Sequence, residues 1–246
     1  NPKPTVGWTE IDAEGDVGAL VTTADRVCWT SFAQASRASL VACASKSDGA
    51  KTDFVRDALV HPGLAARGAD LYWSTEMTAT IDRAPIAGGA ATRVVGKRGP
   101  HGRIFASSSG LYWTLDAGSA NVHLLSLGAD GQPSDVGSLG AADVDLLAMV
   151  DYTVYDYPLA FSFANGVRQW HAGSPDAPVQ LSDGCFYPTD LVASARFVYW
   201  SCRDRTLRWT EAATLGRSPS APHVEQGAGW GYLALHDGLA FATDTV

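Results

Sequence analysis

VCWTS at residues 27–31, LYWST at 71–75, LYWTL at 111–115, VYDYP at 154–158, VYWSC at 198–202 and LAFAT at 239–243 are six versions of one short β-type segment. Their first residues lie 44, 40, 43, 44 and 41 positions apart. A near-constant period of this length marks a chain built from repeated supersecondary units, each too small to bury its own apolar faces. Seven residues before each segment stands an apolar side chain: Leu20, Leu64, Ile104, Leu147, Leu191 and Tyr232. Two residues further on stand Thr22, Ala66, Ala106, Met149, Ala193 and Ala234. The gap between holds turn formers such as Asp25, Gly68, Gly110, Asp151, Asp237 and Gly238. Two strands joined by a tight turn fit each repeat.

A third alternating stretch follows at residues 40–43, 80–85, 121–127, 166–170 and 206–210, often closed by glycine. A weaker fourth is visible at 91–95, 135–139 and 178–181. Four strands per repeat of roughly 40–45 residues is the arithmetic of a propeller blade, whereas leucine-rich and ankyrin repeats are shorter. No helical i, i+3, i+4 pattern of useful length competes. In the fourth repeat Asp156 replaces the aromatic residue, and LAFSF at 159–163 offers a second register. The sixth repeat reaches Val246 without outer strands, and TVGWTEI at 5–11 resembles the third-strand sequence TLRWTEA at 206–212. The expectation is an all-β, six-bladed β-propeller of four-stranded antiparallel blades, one domain over 1–246, with the N-terminal strand joining the C-terminal blade to close the ring.

The segments LYWST, LYWTL and VYWSC, with IDRAPIAGG at 81–89, resemble the YWTD repeat of six-bladed propellers. Similar degenerate repeats occur in bacterial secreted and lipoprotein propellers. The family's aspartate after Tyr-Trp-Thr is absent, since Thr75, Leu115 and Cys202 stand there. Its blade-bridging role is therefore not carried over.

Apolar residues make up 46% of the 246 and charged residues 18%, which excludes a largely disordered chain. No run approaches the ~20 apolar residues of a membrane-spanning helix. A net charge of -8 without a Lys/Arg cluster leaves nothing to neutralise a phosphate backbone, so nucleic acid is not an expected partner. Cys28, Cys43, Cys185 and Cys202 form no CxxC pair, and two disulfides, hence a secreted, periplasmic or cell-surface location, are the expectation. A hairpin centred near Ala35 and Ser36 sets Cys28 directly across from Cys43. Cys185 and Cys202 belong to one end of the fifth hairpin, whereas the alternative pairings would join the first and fifth blades.

No GxSxG, HExxH or phosphate-binding glycine motif appears, so no enzyme class is indicated. Trp29, Tyr72, Trp73, Tyr112, Trp113, Tyr199 and Trp200 invite a sugar-stacking reading. Neighbouring residues of a strand face opposite sides, and a blade flanked by two others buries both, so these are expected to be core.

Ten to eight residues before each segment, where the chain enters the innermost strand, polar and aromatic residues converge. His61 and His101 hold equivalent places on consecutive repeats, accompanied by Arg103, Asp145, Asp190 and Trp230, with Tyr187 just before the fifth innermost strand. These form the expected ligand-binding funnel mouth, with a protein, peptide or carbohydrate as ligand and no cofactor. The alternative is a lyase or hydrolase holding one divalent metal such as zinc at His61 and His101, or calcium at acidic turns.

Overall fold

The computed structural model describes residues 16–33, 38–56, 60–75, 79–96, 104–107, 110–116, 122–128, 130–138, 144–150, 153–158, 168–171, 179–180, 188–194, 196–202, 204, 206–211, 223–226, 230–236 and 239–244. They form 22 strands, and the chain divides into two compact units, Asn1–Ile104 and Phe105–Val246. Among the described residues no helix is long and apolar enough to cross a membrane.

The first unit contains two four-stranded sheets in chain order. One comprises β1 (Asp16–Thr22), β2 (Arg26–Ala33), β3 (Ala38–Ser45) and β4 (Lys51–Arg56). The other comprises β5 (Val60–Arg67), β6 (Asp70–Thr75), β7 (Thr80–Pro85) and β8 (Thr92–Val95). Both are antiparallel meanders. Short polar turns make this possible: between β5 and β6 the chain reverses at Gly68, whose φ of 59° lies where a side chain would be strained. Cys28, Val41 and Cys43 of the first sheet pack against Leu64, Leu71, Trp73, Ala84 and Ile86 of the second. Phe54 adds a tilted ring contact to Trp73, with centroids 6.2 Å apart.

In the second unit, a sheet of β9 (Ile104–Ala106), β10 (Leu111–Asp116), β11 (Val122–Leu127) and β12 (Pro133–Ser138) begins at the unit boundary. β13 (Val144–Val150), β14 (Thr153–Pro158), β15 (Arg168–His171) and β16 (Val179–Gln180) form the next. β17 (Pro188–Ala193), β18 (Phe197–Cys202), β19 (Thr206–Glu211) and β20 (His223–Gln226) form the third. Last comes a two-stranded sheet of β21 (Trp230–His236) and β22 (Leu239–Asp244). β13 lies beside β17, and β17 beside β21, so the first strands of three successive sheets are neighbours.

This corrects the expected six four-stranded blades. Among the described residues the sheets are five of four strands and one of two. The sixth repeat reaches only its second strand in this sequence, and residues 5–11, expected to complete it, lie outside the described residues. Two of the recurring aromatic pairs are core, Tyr72 and Trp73 at 6% and 1% exposed and Tyr112 and Trp113 at 4% and 0%; in the third Trp200 is buried but Tyr199 is only half-buried. Neighbours on one strand point to opposite faces, so both faces of these sheets are covered.

Candidate functional site

The first strand of a sheet carries the same irregularity in nearly every repeat. Pairing slips between Val17 and Ala19 in β1, Val60 and Leu64 in β5, Val144 and Leu146 in β13, Pro188 and Asp190 in β17, and Trp230 and Leu233 in β21. Each slip leaves residues outside the ladder, one in β1, β13 and β17, two in β21 and three in β5, and a bulge of this kind bends the strand and re-aims side chains. The residues left out are Gly18, the stretch 61–63, Asp145, Thr189 and the pair 231–232. Of the positions singled out from the sequence, His61 and Asp145 fall in these stretches, and Asp190 and Trp230 are ladder-paired residues that flank them.

His61 lies in the bulged part of β5, Asp145 is the bulged residue of β13, and Trp230 opens β21. His101, Arg103 and Tyr187 lie outside the described residues. For Asp190 two hydrogen bonds are defined. It is 7% exposed; Oδ1 accepts from the Leu191 amide at 2.9 Å and Oδ2 from the Leu233 amide at 2.8 Å. The second bond runs from β21 to β17, between two sheets. A bulge amide in the first sheet is met differently: the Ala19 N–H donates to Thr30 Oγ1 at 2.9 Å, within one hairpin.

No group of three or more His, Cys, Asp or Glu side chains suited to a metal occurs among the described residues. On the outer strands, His123 Nδ1 lies 2.8 Å from Asp135 Oδ2 across β11 and β12, beside a register shift between Leu124 and Leu125. The tryptophans Trp29, Trp73, Trp113 and Trp200 are at most 2% exposed, so they offer no stacking platform to a sugar.

Cys28 and Cys43 are directly opposed in β2 and β3 and joined by a disulfide, with Cα atoms 4.0 Å apart. Both are fully buried, on the face of the first sheet that meets the second. Cys202 is also disulfide-bonded; its expected partner Cys185 lies outside the described residues.

The sheets define an all-β, propeller-like protein. The nidogen chain of a nidogen/laminin complex matches with a TM-score of 0.63 at 15% identity, over 80% of this chain and 76% of that one. YCF48 from Cyanidioschyzon merolae matches with 0.62 at 10% identity, over 91% and 77%. TolB from Acinetobacter baumannii matches with 0.59 at 10% identity, over 78% of this chain but 50% of its own. At such identities the likeness is one of fold. No protein-family model and no curated protein matches the sequence.

Proposed function

We propose that this chain is a secreted or periplasmic interaction module that binds a protein, peptide or carbohydrate at the bulged ends of its first strands. The observation that carries this is the recurrence of one bulge at one place in successive repeats, with Asp145, Thr189 and Trp230 on neighbouring strands of the second unit. Register shifts also recur between the outer strands β3 and β4, β7 and β8, and β11 and β12, but bulges beside binding sites present side chains, and those of the first strands lie on neighbouring strands. The buried Cys28–Cys43 disulfide supports an oxidising compartment. Nidogen, seen in complex with laminin, is a precedent for a protein partner of a chain with this fold. Closure of the sheets into a six-bladed ring by residues 5–11 belongs to the same proposal.

A photo-reactive residue placed singly at positions 145, 189 and 230, and at position 93 on outer strand β8, tests the site. Crosslinks to an extracellular protein or peptide concentrated at the first three positions are expected. Equal capture at position 93 overturns it.

The second reading, a divalent metal held by His61 and His101, is favoured by the bulge that His61 occupies. Neutral imidazoles from adjacent repeats are suitable zinc ligands. Elemental analysis decides: stoichiometric zinc lost in a His61→Ala, His101→Ala double variant supports the metal, and no metal after reconstitution removes it.

A further inference from the structure

We infer that Asp190 is a positioning residue whose carboxylate clasps the bulged ends of β17 and β21 together. The inference stands apart from the binding reading, because it concerns how two strands are held rather than what they hold.

A carboxylate 7% exposed is costly unless hydrogen-bonded, and main-chain amides are strong partners for it. β17 and β21 are each the edge strand of their sheet, so half of their N–H groups point away from the ladder and need other acceptors. Asp190 serves one of its own strand, at Leu191, and one of the next sheet, at Leu233. Leu233 is the residue at which pairing resumes in β21, and Leu191 follows the one at which it resumes in β17. One side chain therefore fixes two irregular strand ends against each other.

The equivalent positions in the other five repeats hold Ala19, Gly63, Arg103, Leu146 and Gly231, none of which carries an acceptor side chain. Asp190 thus ties the fifth repeat to the sixth. The consequence is that bulge 188–190 and bulge 230–233 form one rigid ledge, with Thr189 and Trp230 held in fixed relation.

Amide hydrogen exchange on the full chain tests this, with wild type compared with Asp190→Ala and Asp190→Asn. Removing an acceptor from a charge-assisted bond is expected to accelerate exchange at Leu233 by about tenfold to a hundredfold in the alanine variant. Trp113 and Leu125, paired across β10 and β11 in the same unit, serve as controls and are expected to keep their rates. Asn keeps one acceptor oxygen and its shape, so Asp190→Asn is expected to accelerate at least one of the Leu191 and Leu233 amides even if the alanine variant does not fold. Unchanged rates at both amides in Asp190→Asn overturn the clasp. So does an acceleration at Leu233 no larger than that of the controls, which would report general loosening.

Discussion

At the turn between β3 and β4, Asp48 shows how one side chain can organise a reversal. Its Oδ1 accepts from the Ala50 amide at 3.0 Å, a short loop closed by an Asx-type bond. A hydrogen bond from the Ser45 side chain, followed by that from Ala50, holds the Asp48 carboxyl below the ordinary aspartate range. A carboxylate depressed in this way favours the folded state above its unfolded pKa, and the contribution disappears as pH falls through the folded value. Asp48 is fully exposed, so the effect on stability is small and local. Ser45→Ala is expected to raise the Asp48 pKa towards the ordinary value without changing the fold. A side-chain carboxyl titration by NMR measures it; an unchanged midpoint would remove Ser45 as the principal cause. Gly68 is a simpler case at the same scale. A Cβ there meets nothing within 4 Å, so Gly68→Ala carries only the strain of φ 59°, about 1 kcal/mol, read as a shift in the denaturation midpoint.

At the scale of elements, the joint between the first two sheets concentrates the apolar energy of the first unit. Trp73 is 1% exposed and touches groups from both sheets, so Trp73→Ala is expected to cost about 3–5 kcal/mol by lost transfer energy and an unfilled cavity. Chemical denaturation measures this; a loss below about 1 kcal/mol would mean the joint had collapsed around the missing ring. Strands of this kind were legible in the sequence because a large aromatic residue repeats on a constant period. The facing of Cys28 and Cys43 was legible too, since a short hairpin loop fixes the register. The outer strands β4 and β20 were not. β4 reads KTDFVR and β20 HVEQ, edge sequences whose charge hides the alternation. The irregular positions of the first strands were visible only as a column of unlike residues, because a break in the ladder interrupts the period by which strands are recognised. Asp190 stood in that column among candidate ligands. Its bond to Leu233 spans 43 residues and two sheets, a relation that no local pattern encodes.

At the scale of the whole chain, the disulfide and the division into two units together predict how the protein unfolds. Cys28 and Cys43 are 15 residues apart, and closing a loop of that length removes unfolded-state entropy worth about 3 kcal/mol. The bridge lies wholly within Asn1–Ile104, so its contribution belongs to that unit. A Cys28→Ala, Cys43→Ala double variant leaves the disulfide at Cys202 in place, which reductant would not. For a unit of roughly 100 residues the loss corresponds to a fall in Tm on the order of 10 °C. Differential scanning calorimetry of the variant is therefore expected to show one transition moved down and the other unmoved. If both transitions fell together, the two units would unfold as one cooperative body. If neither moved, the Cys28–Cys43 bridge would contribute nothing beyond the packing that buries it, and strain in the folded hairpin would have offset the entropy it removes from the unfolded chain.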